Sequence, residues 1–483
     1  MLTAAAATND LNITGITCDS RRVGPGYLFA AIPGTQVDGR RFISDAVQRG
    51  AAAILAPAGT QPDPAHRDVA MITDPDPRRR YALMAANFYA RQPATVAAVT
   101  GTSGKTSTAH FLRQIWNHLG LKAGAMGTLG VVATGPDGGA LLPADDKALT
   151  TPDAADLHRQ LRDLADAGVD HLAMEASSHG LDQRRLDGVR ISAAAFTNLS
   201  HDHLDYHVTE SAYLDAKVRL FRELLVDGGT AVVNGDQLYA EAVIAACRAR
   251  GLPLIRYGRS GDRVRLSGLD ARADGQVMQV EIDGRAHEVS LALVGDFQAS
   301  NALAAVALAL ATGAAPDAAI AALPRLTGAP GRMQWIANTP AGGAVYVDYA
   351  HKPDALDRAL AALRPHAKGR LGVVFGCGGD RDAAKRPEMG AIAARRADWT
   401  IVTDDNPRSE DPAEIRRAIL AAAPGAREIG DRKAAIAAGI EALEEGDLLV
   451  VAGKGHETGQ IVGDEVLPFN DADVIRSLIG AGA

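Results

Sequence analysis

The stretch Thr95-Val-Ala-Ala-Val-Thr100-Gly101-Thr102-Ser103-Gly104-Lys105-Thr106-Ser107 decides the fold. Its first part, Thr95–Thr100, reads as a buried strand, since a strand covered on both faces needs no polar alternation. Two glycines frame a tight turn, and a helix is expected from Lys105 to Leu119, ended by Gly120. A strand running through such a turn into a helix N-terminus makes an anion cradle. Backbone N–H groups converge there, the helix end is electropositive, and Lys105 adds a cation for β/γ-phosphate oxygens. The Thr106 hydroxyl is placed to ligate Mg2+ beside a phosphate. The general form of this loop has glycine where this chain has Val99, so the competing reading is a plain turn before a surface helix.

Around this loop the chain alternates strands and helices. Upstream, Ile13–Thr17, Tyr27–Ile32, Ala52–Ala56 and Val69–Ile72 read as strands, and Arg40–Arg49 and Arg78–Ala90 as helices, closed by Ala90-Arg-Gln-Pro93. Downstream, strands are expected near Asp170–Met174, Ala193–Thr197 and Ala231–Asn234. Asp274-Gly275 and Asp283-Gly284 mark a hairpin excursion, the helix Ser300–Thr312 follows, and Gly328-Ala-Pro-Gly331 reads as a linker. The remainder repeats a βαβ rhythm, with strands at Val345–Tyr349, Leu371–Phe375, Trp399–Thr403 and Leu448–Ala452. Each ends in a polar loop: DYAHKPD, GCGGDRD, DDNPRSE and GKGHE. In open parallel sheets ligands bind beyond such strand ends.

With 483 residues the chain exceeds one ordinary core. A formal charge of −8 argues against a nucleic-acid partner, which needs a basic surface. Cys18, Cys247 and Cys377 are too few and too scattered for a disulfide framework or zinc knuckle. The start MLTAAAATNDL lacks the basic end and apolar run of a signal peptide, and Ala302 to Ala315 suits a buried helix better than a membrane span. A cytoplasmic protein without membrane insertion is the expectation.

Four further groups carry candidate chemistry. Glu175, in Met174-Glu-Ala-Ser-Ser-His-Gly180, sits at a strand end near the phosphate loop and suits Mg2+; a helix-capping serine pair is the alternative. Asn198-Leu-Ser-His201-Asp202-His203-Leu-Asp205-Tyr-His207 is either a metal or substrate pocket or a solvated loop. Lys217 lies on a helix expected over Ser211–Leu225, where its i±3 and i±4 neighbours are Leu214, Leu220, Tyr213 and Phe221. An ammonium on that apolar face must be paired, chemically changed or snorkelling to water. Finally, Arg381, Asn406, Arg408, Gly453 and Glu457 lie on the C-terminal loops. Arginine forks suit carboxylates and Glu457 suits an ammonium, although each loop alone could be an ordinary polar turn.

These motifs, with CDSRRVGPGYLFAAIPG, TTPD, EASSHGLDQRRLDG, YLDAKVRLF, NALAA and GRMQ in one order along the chain, resemble the Mur ligase family. The family's phosphate loop also lacks the first glycine. The resemblance implies an α/β protein of three domains: a UDP-sugar-binding domain (1–92), a central P-loop-type mononucleotide-binding sheet (93–328) and a C-terminal Rossmann-like doubly wound sheet (329–483). It implies an ATP-dependent amide ligase acting through an acyl phosphate, with closure of the C-terminal domain during the reaction. DNPR goes with meso-diaminopimelate, to be added to UDP-N-acetylmuramoyl-L-alanyl-D-glutamate by a monomeric enzyme. ATP would be held by Gly101, Thr102, Ser103, Gly104, Lys105, Thr106 and Ser107, with Asn301, Arg332 and Asp348 around the nucleoside. The UDP-sugar peptide would be held by Cys18, Ser20, Thr35, Gln36, Val37, Thr150, Thr151, Ser177, Gln183 and Arg185. Diaminopimelate would meet Arg381, Asp405, Asn406, Pro407, Arg408, Gly453 and Glu457. Lys105, Lys217 and His203 are the implied catalytic residues, and Lys217 the implied N6-carboxylysine. Its carbamate would hold Mg2+ with Thr106, Glu175 and His203. Lys352 and Gln334 depart from the family's usual Thr and Glu and touch only the ATP site's expected details.

Overall fold

The computed structural model describes residues 11–34, 37–61, 69–143, 149–200, 202–272 and 274–480. Two compact units emerge. One comprises the chain up to Lys105 with Gly120–Val233 and Gln237–Leu254; the other comprises Thr106–Leu119, Asn234–Asp236 and the chain from Ile255.

The first unit opens with a parallel four-stranded sheet, β1 (Gly15–Thr17), β2 (Tyr27–Ala30), β3 (Ala53–Pro57) and β4 (Ala70–Asp74). Helix α1 (Ile43–Gln48) is shorter than expected, because Gly39–Phe42 forms a 3-10 turn capped by Asp38. Helix α2 (Pro77–Tyr89) starts at proline behind an Asp76 cap, the chemistry that favours a helix start.

The larger sheet contains β5 (Thr95–Thr100), followed by α3 (Lys105–His118) as the turn predicts. A hairpin absent from the sequence reading comes next, β6 (Ala123–Gly127) and β7 (Gly130–Thr134). Helix α4 (Ala154–Asp166), β8 (His171–Glu175), α5 (Ser178–Asp182) and β9 (Ile191–Phe196) follow. Then come α6 (Leu204–His207), α7 (Glu210–Arg219), β10 (Leu225–Asn234) and α8 (Ala240–Ala249). The strand order β10-β9-β5-β8-β6-β7 places β5 centrally, paired in parallel with β8 and β9. Its glycine loop therefore emerges at a carboxyl edge flanked by the ends of β8 and β9. The helix expected to reach Leu225 instead converts to a π turn at Leu220–Leu224 before entering β10. Such turns frequently accompany functional sites.

Strand β11 (Leu254–Gly258) is followed by β12 (Val264–Arg272), with which it pairs in parallel, and β12, β13 (Gly275–Ile282) and β14 (Arg285–Leu291) of the second unit form the antiparallel hairpin excursion. Asp283 and Gly284 both take positive φ in its two-residue turn, as an Asp-Gly hairpin turn requires. Helix α9 (Asp296–Ala311) begins a turn earlier than expected and is buried on every side, consistent with its apolar circumference. A short α10 (Pro316–Ala321) leads to β15 (Gln334–Asn338), β16 (Ala344–Asp348), α11 (Pro353–Leu363), β17 (Leu371–Phe375), α12 (Lys385–Arg396) and β18 (Trp399–Val402). The chain ends with α13 (Pro412–Leu420), β19 (Arg427–Glu428), α14 (Arg432–Glu441), β20 (Leu448–Ala452), the hairpin β21 (Gly459–Val462) and β22 (Glu465–Pro468), and α15 (Asp471–Gly480).

The order β15-β16-β20-β17-β18-β19 is parallel except for the antiparallel edge strand β15. Alternation along β20 shows why its run is uniformly apolar. Leu448, Val450 and Ala452 pack with Leu356, Met389 and Ile415 of α11, α12 and α13, whereas Leu449 and Val451 pack with Ile436 and Ile475 of α14 and α15. The sheet is doubly wound, and all four polar loops sit at its carboxyl edge. No helix of the described residues is long and apolar enough to cross a membrane.

Candidate active site

The phosphate loop is shaped by its neighbours. Gly101 takes φ +152°, and a Cβ there would lie 1.9 Å from the Thr197 hydroxyl oxygen, so no larger residue fits. Beyond β9, Asn198 brackets the loop: its carbonyl accepts from the Thr102 N–H, and its side chain both accepts from and donates to the Ser103 backbone. Lys105 Nζ donates to the carbonyls of Gly101 and Thr102, each at 2.9 Å. Thr106 and Ser107 follow in the first turn of α3.

Lys217 does not snorkel. Its side chain is 1% exposed, its Nζ donates to the Gly101 carbonyl at 2.9 Å, and it lies 4.3 Å from the Tyr213 ring centroid. Tyr213 in turn hydrogen-bonds through its hydroxyl to Thr102. Burial, and then the charge of Lys105, hold the Lys217 amine well below the ordinary lysine range, with Asp202 opposing weakly. Burial at this position therefore disfavours the charged form of the amine.

Glu175 ends β8 opposite Val99. The backbone N–H and hydroxyl of Thr128 donate to its two carboxylate oxygens at 2.8 and 3.2 Å. A Cβ on Gly127 would lie 2.1 Å from Oε1, so this close approach needs glycine. Around this carboxylate the expected peptide-binding residues assemble. Thr150 meets the Thr128 hydroxyl, and Thr151 donates to the Glu175 carbonyl. Ser177 donates to Thr151, and Arg185 reaches the Thr151 carbonyl and the Gln183 side chain at 2.7 Å each. Ser177 also caps α5, so the capping reading of the serine pair holds alongside the site.

In the histidine-rich loop, His203 is exposed at φ +53° and lies 3.6 Å from the Asp202 carboxylate. The loop is not merely solvated: His179, His203, Tyr206, His207 and Tyr213 stack edge to face or tilted, and His207 is buried. His201 lies outside the described residues, as do Thr35 and Gln36. Cys18 and Val37 are exposed, and Ser20 is buried in a turn capped by Asp19. Among the described residues no three His, Cys, Asp or Glu side chains form a ready-made metal cage.

Asn301, Arg332 and Asp348, expected around the nucleoside, join one hydrogen-bonded chain. Asn301 donates to Gln298, Gln298 donates to the Arg332 carbonyl, and the Met333 N–H donates to Asp348 at 2.7 Å. The Arg332 guanidinium lies 4.6 Å from the Tyr349 ring centroid, a cation–π contact.

At the carboxyl edge of the C-terminal sheet the loops are bonded to one another. Asp380 accepts from the Ser409 N–H and hydroxyl, and Arg386 donates to Glu410. Arg381 is exposed beside them. Arg408 takes φ +52°, and its Nη1 donates to the Gly379 carbonyl at 2.9 Å. Glu410 is engaged by Arg386, and Asp411 caps α13. Among the described residues Arg408 makes no close ion pair, while its charge acts at longer range on the Asp380 carboxyl, whose depression is due first to its hydrogen bonds from Ser409. Asp405 and Asn406 are buried, and Pro407 carries the turn between them and Arg408. Gly453 and Glu457 stand on the neighbouring loop after β20. Thr128, Tyr206, Tyr213 and Lys454 were missed by sequence reasoning; only Lys454, a lysine just past a fully apolar strand, carried a local signal.

Residues 12–89 match the Mur ligase family catalytic domain, 99–309 the Mur ligase middle domain, and 331–455 the Mur ligase glutamate ligase domain. The chain is 54% identical over 472 residues to UDP-N-acetylmuramoyl-L-alanyl-D-glutamate–2,6-diaminopimelate ligase from Caulobacter vibrioides, covering 98% of this chain and 96% of that one. It is 52% identical over 473 residues, with the same coverage, to the protein of that name from Mesorhizobium japonicum. A solved structure bearing the same name aligns with a TM-score of 0.72 at 34% identity, covering 97% of this chain and 95% of the other. With identity above half sustained over nearly the full length, and all three domains matched in order, the chain belongs to the Mur ligase family.

Proposed function

We propose that this chain is an ATP-dependent ligase that adds meso-diaminopimelate to UDP-N-acetylmuramoyl-L-alanyl-D-glutamate, a cytoplasmic step in peptidoglycan precursor synthesis. The names of its relatives support the reaction. The observation that carries it is the meeting of Lys105 and buried Lys217 on the Gly101 carbonyl, with β8 delivering Glu175 beside the same strand end. Domains 1–92, 93–328 and 329–483 would take the UDP-sugar, the ATP and the amino acid respectively.

Lys105 would exchange its loop carbonyls for phosphate oxygens and stabilise charge on the transferring phosphoryl group. Glu175 offers a hard carboxylate fixed by Thr128, the donor type Mg2+ takes, and Lys217 as a carbamate would add two oxygens in place of a cation. With Thr106 and His203 these residues would hold the ion, which supplies Lewis-acid charge neutralisation at the phosphates. The Thr150, Thr151, Ser177, Gln183 and Arg185 group would orient the peptide so that its D-glutamate side-chain carboxylate attacks the γ-phosphate. The neutral amine of diaminopimelate, held by the C-terminal loops, then displaces phosphate from the acyl phosphate to form the amide. This is chiefly catalysis by positioning.

The test is ADP release measured with each substrate omitted in turn and with a panel of amino acids. Release that requires both the UDP-linked dipeptide and diaminopimelate is expected. Release without either would indicate a nucleotide-driven switch, and equal release with lysine would indicate a lysine-adding relative.

A further inference from the structure

The GKGHE loop contains a lysine that the mechanism above does not use. Lys454 is fully buried, its side chain 0% exposed, at the carboxyl end of β20. Its Nζ donates to Asn406 Oδ1 at 3.0 Å and to Glu457 Oε2 at 3.0 Å. Asn406 Oδ1 also accepts from the Ile461 N–H at 2.9 Å, and Asn406 Nδ2 donates to the same Glu457 Oε2 at 2.9 Å. The loop after β18, the loop after β20 and the hairpin strand β21 thus meet at one amide.

The polarity of that amide follows from chemistry. An ammonium and a backbone N–H can only donate, so the group facing them must be the amide oxygen. A flipped amide would set N–H groups against two donors. Asn406 is therefore compelled to turn its NH2 away from Lys454, with one N–H on Glu457 and the other without an acceptor among the described residues. Glu457 is similarly sorted: Oε2 accepts from both Asn406 and Lys454, which leaves Oε1 for an incoming donor. Among the described residues no hydrogen bond uses Oε1. The pocket thus presents a donor next to an acceptor in fixed order, the complement of the carboxylate and ammonium of one amino-acid group.

We propose that Lys454 is a positioning residue that sets this polarity, acting through Asn406 and Glu457 rather than by touching the substrate. The inference rests on the reading that these loops bind diaminopimelate. It assigns the recognition of one amino-acid end of the substrate to an arrangement held by a buried cation. Hydrogen bonds to a charged donor are the strong ones, so its loss should release both partners.

The experiment is steady-state kinetics on Lys454→Met, Asn406→Ala and the double variant, varying diaminopimelate, ATP and the UDP-linked dipeptide separately. Lys454→Met is expected to raise the KM for diaminopimelate about 20-fold and to leave the other two KM values within about twofold. The double variant should be no worse than Asn406→Ala alone, because both changes break one unit. A diaminopimelate KM within about twofold of wild type, equal rises for all three substrates, or additive effects in the double variant would each overturn the inference. Should Lys454→Met not fold, Lys454→Gln carries the same comparison: it keeps a donor without charge and should raise the diaminopimelate KM alone. Wild-type protein that does not ligate diaminopimelate at all would overturn the substrate reading, and this inference with it. Normal wild-type ligation with an unmoved KM in the variant overturns this inference only.

Discussion

Replacing Arg408 with methionine removes a guanidinium while keeping most of its length, and so isolates the carboxylate clamp. The side chain is aimed by its backbone. The Arg408 N–H donates to the Ile461 carbonyl at 3.1 Å, and its own carbonyl accepts from Gly463 at 2.8 Å. The residue holds the left-handed φ of +52°, which a non-glycine side chain adopts at a cost. Nη1 is engaged by the Gly379 carbonyl, and among the described residues no hydrogen bond from Nε or Nη2 is seen, so one edge of the fork is left to take the carboxylate proposed for it. Diaminopimelate differs from lysine by a distal carboxylate that this edge can take with two parallel bonds. At about 1.5–3 kcal/mol for each charge-assisted bond, the pair contributes about 3–6 kcal/mol. At about 1.4 kcal/mol per decade this is a factor of roughly 10²–10⁴ in kcat/KM. The assay compares kcat/KM for diaminopimelate and for lysine in wild type and Arg408→Met. The diaminopimelate value should fall by that factor while the lysine value moves by less than about threefold. A variant that keeps the wild-type preference, or a wild type that uses both amino acids equally, would refute the reasoning.

Lys105→Ala should lower ligation by at least about 10³-fold without changing the circular dichroism spectrum; near-normal turnover by a folded variant would remove the phosphate-loop assignment. Lys217→Ala should be inactive and partly restored by added formate or acetate, and mass spectrometry of wild type under native conditions should find one added carboxyl; a bare lysine in active, Mg2+-loaded protein contradicts this. Arg432 and Asp471 form an ion pair with both side chains 0% exposed, so Asp471→Asn should cost about 3–5 kcal/mol and lower the thermal midpoint, whereas an unchanged midpoint would show that the guanidinium is not stranded. Burial and neighbouring Asp156 push the Asp153 carboxyl up to about 6. A carboxyl that holds its proton more tightly when folded loses stability as pH rises from its unfolded value through about 6. Asp153→Asn should therefore stabilise more at pH 8 than at pH 4, read from thermal midpoints; the same difference at both pH values would refute it.

What the sequence made legible was whatever is written in local spacing. The phosphate loop declares itself in eight consecutive residues, and the apolar neighbours of Lys217 three and four positions away already mark its awkward burial. The C-terminal sheet was equally plain, because strands buried on both faces leave unbroken apolar runs such as Leu448–Ala452. The β6–β7 hairpin escaped because β6, Ala-Gly-Ala-Met-Gly, announces neither period, and the five residues of β7, Gly-Val-Val-Ala-Thr, do not alternate clearly enough alone. The π turn after Arg219 escaped because nothing in Leu220–Leu224 distinguishes it from ordinary helix. Thr128 and Tyr213 belong to the site through contacts 47 and 111 residues away in sequence, to Glu175 and Thr102. Isolated polar residues of that kind gain meaning only when folding brings their partners.

Helix α9 has a consequence for how this protein tolerates change. Ala299, Ala302, Ala304, Ala305, Ala307 and Ala309 are all 0% exposed, so one helix contributes six of the smallest side chains to the interior. Alanine scanning measures importance by what truncation removes, and along these positions it is blind. The sensitivity runs in the opposite direction. Each added methyl must displace atoms already in contact, at about 1–3 kcal/mol per overpacked site. A core assembled this way is robust to loss and fragile to growth, and most single-base changes at an alanine codon add atoms.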